Sequence, residues 1–330
     1  MASPCPAIRP RLAAARFGLA CGLGSCAGMP PPAAFAIVAV LVARSAAVLL
    51  PYAHVPAENA TFYVFRDDVI LFPISFSIPK ERILSSVPKK TVFALNDSQR
   101  SFTFKNYQFG PLQEDEYHLN IQRHRFGDTR RKGGHDCLRH YELLANGCVP
   151  IVHDLENIPK SVLTTLPRPL LFAAKDMFAQ PWTNIETGPG ESAVVAEEAY
   201  EDLAGQLLRY TNDHLSTESA ARYVLDTVNV PEKGSKVLFL PCTAVDNFPS
   251  YLTSSVFHGL VSILGDNVID VPEYEYAYQL RNPDEAYFVR GNLWGQGYTL
   301  GFRLPRRPHL NRANISQRIR AGEFDLIIFA

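Results

Sequence analysis

Beyond residue 58 the chain alternates short apolar runs with stretches of helical period. Val69–Phe76 and Thr91–Leu95 are β-branched and aromatic and predict strands, the first bounded by Pro73. Glu114–Arg123 predicts a helix. His135–Asn146 predicts a clearer one, followed at once by strand-like Cys148–Val152. Apolar positions at Tyr200, Leu203, Leu207 and Leu208 give Glu197–Tyr210 a helical period. Ser216 can cap a further helix, with Ala220, Ala221, Val224 and Leu225 on its buried side.

A turn-like linker follows at Pro231-Glu-Lys-Gly234. Lys236–Leu240 then predicts a strand, and apolar residues at Leu252, Val256, Leu260, Ile263 and Leu264 predict a helix that Gly265 stops. With Asn267–Val271 as the next strand, this is a β-α-β opening of a Rossmann-like sheet. Ile315–Arg320 reads as a helix, and Phe324–Phe329 as the continuous apolar strand of a buried parallel sheet. Such a strand needs helices on both faces, and nothing follows Ala330 to supply another, so the second α/β unit is expected to be truncated. The expected organisation is a leader over 1–57, an α/β lobe over 58–230 and an incomplete α/β unit over 231–330.

Composition narrows the function classes. With 47% hydrophobic and 20% charged residues and a net charge of −1 over 330 residues, the chain is neither a general nucleic-acid binder nor disordered throughout. Charge is nevertheless uneven, because the first acidic residue is Glu58 while Arg9, Arg11, Arg16 and Arg44 precede it. Apolar runs Ala33–Val42 and Ala46–Leu50 together are about long enough to cross a bilayer if Arg44 is tolerated, at a cost of roughly 2.5–3.5 kcal/mol. Three readings compete: a signal anchor that puts the remainder in the lumen of the endoplasmic reticulum or Golgi, a cleaved secretory signal, and a plastid or mitochondrial transit peptide. Sequons at Asn59, Asn96 and Asn314 favour the lumen. Cys5, Cys21, Cys26, Cys137, Cys148 and Cys242 include no C-x-x-C pair, and so suggest neither a zinc site nor a disulfide framework.

The segment from Arg130 to Pro150 carries the candidate chemistry. On a helical projection Cys137, Leu138, Tyr141, Leu144 and Ala145 share a core face, and His135, Arg139, Glu142 and Asn146 form a narrow polar stripe opposite. Gly133 and Gly134 allow close backbone approach ahead of the helix, and the free amides of its first turn attract phosphate. Lys132, with Arg130 and Arg131, would neutralise a diphosphate. Gly147 ends the helix before the chain enters the sheet, and such junctions bind ligands in α/β proteins. The competing reading is a solvated helix with a charged outer face.

Arg139-x-x-Glu142-x-x-Ala-x-Gly147-Cys-Val-Pro150 resembles the motif in the nucleotide-binding lobe of exostosin-like glycosyltransferases. The longer run Lys132–Pro150 is similar to a group of algal and viral proteins of that class. So are Pro73-Ile-Ser-Phe-Ser-Ile-Pro79, Val256-Phe-His-Gly-Leu260, Gly295-Gln-Gly-Tyr-Thr299 and Phe324–Phe329. The resemblance implies a B-type glycosyltransferase lobe that transfers a sugar from a nucleotide sugar to a glycan or glycoprotein acceptor. No permanently bound cofactor and no metal are implied. Arg139 would face the diphosphate, Glu142 the ribose or sugar, and Lys132, Gly133 and Gly134 would support the phosphates.

The sequence departs from that family at His135, where relatives carry an aromatic residue, and at Asp128, where an apolar strand residue is expected. The lobe order is also unusual, with the donor-like lobe first. No residue stands out as catalytic base, and Asp246, His258 and Asp270 fit ordinary loop, core and turn roles. A relative that binds nucleotide or glycan without turnover remains the alternative, as does an organellar α/β protein with another ligand.

Overall fold

Strands form where β-branched and aromatic residues run together, and stop where the backbone can no longer donate. A computed structural model describes residues 38–42, 45–49, 63–66, 69–95, 108–131, 134–160, 162–179, 191–241 and 250–330. Its strands are β1 (Val38–Val42), β2 (Ser45–Leu49), β3 (Tyr63–Arg66), β4 (Val69–Phe72), β5 (Val92–Leu95), β6 (His124–Thr129), β7 (Val149–Val152), β8 (Val237–Leu240), β9 (Val268–Asp270) and β10 (Leu326–Phe329). Its helices are α1 (Glu114–Arg123), α2 (Leu138–Ala145), α3 (Arg168–Ala179), α4 (Glu191–His214), α5 (Thr217–Thr227), α6 (Tyr251–Leu264), α7 (Ala286–Gly291) and α8 (Ile315–Arg320). The chain is a mixed α/β protein. β5, β6 and β7 make a small parallel sheet, and the other strands a seven-stranded sheet in the order β3-β4-β2-β1-β10-β8-β9.

Local chemistry sets the boundaries. β4 ends at Phe72 rather than Phe76 because Pro73 has no N–H to donate. The extended stretch beyond it pairs instead with the α4–α5 junction, Ile78 donating to Leu215 O and accepting from Thr217 N. Ser216 caps α5 by accepting from Ser219 N. α2 starts at Leu138, three residues later than its periodicity predicts, because Cys137 is extended and Asp136 is turned towards Phe76 N. At its other end Gly147 adopts φ +61°, and Gly147 N–H and Cys148 N–H close on Leu144 O and Leu143 O, a Schellman stop.

Two cores result. One gathers Leu138, Tyr141 and Leu144 of α2 with Phe126, Ile151 and Val152 of the small sheet and with Leu171, Tyr200, Leu203 and Leu207. In the other, Val256, Phe257 and Leu260 of α6 cover Val237, Phe239, Leu326 and Ile328, while Leu238 and Ile269 face the opposite way towards Phe324 and Ile315. β8, β9 and β10 are parallel neighbours covered on both faces, as the apolar run Phe324–Phe329 requires. β10 also pairs antiparallel with β1, so the last strand has a neighbour on each side.

The turn at Pro231–Gly234 does not separate two cores. Ala221, Val224 and Leu225 of α5 pack with α6 on its far side. That contact depends on Gly259, where a Cβ would lie 1.9 Å from Thr217 O. Gly259→Ala forces the helices apart and is expected to cost about 1–3 kcal/mol, measured by urea unfolding. Unchanged stability would contradict the close approach.

The apolar run around Arg44, which one of the three readings of the leader takes across a membrane, carries the antiparallel pair β1 and β2. No helix of the described residues is long and apolar enough to cross a membrane. Lys132, Gly133, Asn59, Asn96, Cys242 and Asp246 lie outside the described residues. Asn314 is exposed at the start of α8, with φ +54°, and Cys148 is a buried free thiol.

Candidate functional site

The polar stripe of α2 is buried rather than solvated. Glu142 and Asn146 are 6% and 2% exposed, while Arg139, at 22%, and His135 keep part of their side chains in water. A charged outer face in solvent is therefore excluded. The stripe packs against α1 and against the loop after α7.

Glu142 is held on both oxygens. Thr299 Oγ1 donates to Oε1 at 2.6 Å, Tyr117 Oη donates a short hydrogen bond to Oε2, and Arg139 Nε lies 3.5 Å from Oε2. Arg139 also rests over the Tyr117 ring, 5.3 Å from its centre. Burial pushes the Tyr117 phenol well above its ordinary range, so it stays a donor. Asn146 donates to Glu142 O and to His118 Nδ1, at 2.8 and 3.0 Å, and accepts from Gln122. An acceptor at Nδ1 puts the His118 proton on Nε2, 3.7 Å from Glu114. Burial lowers the His118 pKa to about 4, so the ring is neutral near pH 7.

Glu114, in the first turn of α1, is the second buried carboxylate, with an 11% exposed side chain. It accepts from Arg82 at 2.6 Å, from Arg290 at 3.3 Å, from Arg303 in a shorter contact, and from Thr299 N at 2.8 Å. Thr299 thus serves both carboxylates, one through its backbone and one through its hydroxyl. It does so from a left-handed conformation (φ +70°) in a loop where Gln296 and Phe302 also have positive φ. Each such non-glycine residue costs of order 1–3 kcal/mol, and strain of this kind gathers at functional sites.

The amino end of α2 behaves differently from expectation. Asp136 occupies it, accepting from Phe76 N at 3.2 Å and from Tyr141 Oη at 2.9 Å. Helix amides favour a carboxylate there, but desolvation wins and raises the Asp136 pKa to about 7. Gly134 and His135 lie just outside the helix. His140 Nε2 donates to His135 O at 2.9 Å, and Thr129 Oγ1 lies 3.0 Å from His140 Nδ1. His135 itself is partly exposed, and its pKa is lowered by burial and by Arg131. Asp128, the odd residue of β6, lies 2.5 Å from His153.

The structure therefore brings Arg139, Glu142 and Asn146 together along α2, and leaves Gly134 and His135 ahead of its first turn, outside that cluster. Sequence reasoning missed Arg82, Glu114, Tyr117, Arg290 and Arg303. Only Thr299 carried a signal, as the last residue of Gly295–Thr299. His258 belongs to a separate buried chain, with Thr217 Oγ1 at 3.0 Å on one ring nitrogen and Glu81 at 3.3 Å on the other. Thr217 is fully buried, which gives that chain a packing role. No His/Cys/Asp/Glu group among the described residues could hold a metal ion. In comparisons with known proteins, no family model, no curated protein and no solved structure matches the chain.

Proposed function

We propose that the chain is a glycosyltransferase-like protein with a Rossmann-like B-type architecture, which uses a nucleotide sugar to glycosylate a glycan or glycoprotein acceptor. The observation carrying this reading is the contact of Thr299 with Glu142. It joins the exostosin-like motif of α2 to Gly295–Thr299, a segment similar to the algal and viral group, although they lie 157 residues apart in the chain. A third such segment, Pro73–Pro79, meets the same helix through Phe76 and Asp136.

In this reading Arg139 faces the diphosphate, whose charge grows as the sugar–phosphate bond breaks. Glu142 has a protein partner on each oxygen and holds Arg139 and Thr299 in place rather than binding ribose. Lys132 and Gly133 are proposed to add phosphate contacts next to Gly134, and no resident cofactor or metal is invoked. The acid-free leader and the three sequons support a luminal setting, while its apolar stretches 38–42 and 45–49 are strands of the large sheet. Glycans on Asn59 or Asn96 in the expressed protein would support the lumen against an organelle that imports its proteins, and bare asparagines would count against it.

A second reading, binding without turnover, is favoured by the protein partners already on both oxygens of Glu142 and by the absence of an assigned base. Release of nucleoside diphosphate from a panel of nucleotide sugars, with mixed glycan acceptors, separates the two. Transfer predicts release that falls roughly 100-fold or more in Arg139→Ala. No release from a folded chain that still binds a nucleotide sugar would leave the binding protein.

A further inference from the structure

The charge around Glu114 and Glu142 does not balance. Four guanidinium groups, Arg82, Arg139, Arg290 and Arg303, surround two buried carboxylates, which leaves two positive charges over. Their side chains are only 15–22% exposed, so water screens them poorly. Asp115 and Glu81 add countercharge to Arg82, and Glu81 to Arg303, but from positions that water screens. Asp115 lies 3.8 Å from Arg82 but is 87% exposed, and Glu81, 54% exposed, is turned towards His258. His118 contributes no charge near pH 7.

Donors are left over as well as charge. Arg82 Nε is buried and has no hydrogen-bond partner. Arg303 donates through Nε to Thr299 O and through Nη2 to Glu114, which leaves Nη1 without a protein hydrogen bond. Arg290 is set further back, its guanidinium stacked 5.2 Å over the Phe302 ring. Desolvation lowers the pKa of Arg82, Arg290 and Arg303, and the charge of Arg82 depresses the other two further. Packing alone gives no reason to gather like charges out of water. A dianion supplies what is missing, and the planar guanidinium fork matches phosphate oxygens.

We infer that this cluster is a diphosphate clamp in which Arg82 and Arg303 act together with Arg139. The inference rests on the nucleotide-sugar reading and adds to it two residues from outside the α2 motif. The clamp is built from three segments, the turn Lys80–Arg82, α2, and the strained loop ending at Arg303. A bound diphosphate would tie the first core to the second.

Inorganic pyrophosphate and sulfate, at matched ionic strength, test the clamp on the full chain by thermal shift and titration calorimetry. Pyrophosphate is expected to stabilise the protein well beyond sulfate. Arg82→Gln and Arg303→Gln should each weaken pyrophosphate binding about tenfold or more. Each variant removes a charge from a crowded cluster, so without ligand it should melt within a few degrees of the unaltered chain. Arg303→Lys keeps the charge, loses the fork and should fall in between. Equal effects of sulfate and pyrophosphate, or pyrophosphate affinities unchanged in both glutamine variants, would overturn the clamp. Nucleotide-sugar binding that needs Arg139 but tolerates both glutamine variants would also remove it, and would leave the proposed function standing. Pyrophosphate binding with no response to any nucleotide sugar would keep the clamp and remove the proposed function.

Discussion

Replacing Asp270 by alanine should destabilise the chain by about 3–5 kcal/mol, the cost of stranding a buried counter-charge. Asp270 ends β9 with no exposed surface. Its Oδ2 accepts from Tyr274 N at 2.8 Å, and its Oδ1 from Tyr278 Oη and Arg312 at 3.0 and 2.8 Å. Arg307, 5% exposed, lies 3.5 Å away and spends its other donors on Gly265 O, Val268 O and Tyr278 Oη. Without the carboxylate, Arg307 stays buried and unpaired, and the turn after β9 loses its anchor at Tyr274. Arg312→Ala removes a partner with an 18% exposed side chain and should cost clearly less. Urea unfolding of both variants measures the difference, and a loss below about 1 kcal/mol for Asp270→Ala would show that the network contributes little.

The second large effect is a pair of opposed pH dependences. Asp136 titrates near 7 when folded against an ordinary 3.8, so it is protonated in the fold and ionised in the open chain between those values. Its contribution is complete below about pH 3.8 and is lost as pH rises through 7. His118 titrates near 4 against an ordinary 6.5, so it is neutral in the fold and charged in the open chain between them. Its contribution is complete above 6.5 and is lost as pH falls through 4. Between pH 4 and 6.5 each amounts to about 3 kcal/mol, with opposite sign, and in the unaltered chain they nearly cancel. Asp136→Asn should therefore expose the histidine, with stability rising with pH across this window. His118→Gln should expose the aspartate, with stability falling. Urea unfolding at pH 4.5, 5.5 and 6.5 measures both slopes, and parallel slopes in the two variants would contradict the assignment.

Much of the fold was legible from local chemistry. The periodicity of Glu114–Arg123 and Ile315–Arg320 gives α1 and α8 with their observed bounds, and Ser216 caps α5 as its position suggests. The β8-α6-β9 order and the burial of Phe324, Leu326 and Ile328 also follow from apolar pattern, although Phe329 at the strand end stays 40% exposed. What failed to show was long-range. An apolar pattern such as that of 38–42 and 45–49 looks the same whether it is to pair with β10 and β4 or to cross a lipid layer. The start of α2 was displaced because Asp136 binds Phe76, sixty residues earlier. The stripe on α2 was visible as geometry, but its burial was not. That depends on Tyr117 and Thr299, which approach from segments that periodicity treats as unrelated. For the same reason Glu114 reads as a helix-start charge and Arg303 as a loop cation until they meet.

The central claim is that Arg139 belongs to a nucleotide-sugar donor site, and binding tests it before any acceptor is known. The measurement is a thermal-shift series on the full chain with common nucleotide sugars and free nucleoside diphosphates, with Arg139→Ala in parallel. A ligand at a hundred times its dissociation constant stabilises its site by about 2.7 kcal/mol. The account predicts a rise in melting temperature with one nucleotide class, absent in Arg139→Ala. Folded protein that answers to none of them, or a rise that Arg139→Ala leaves intact, would contradict it.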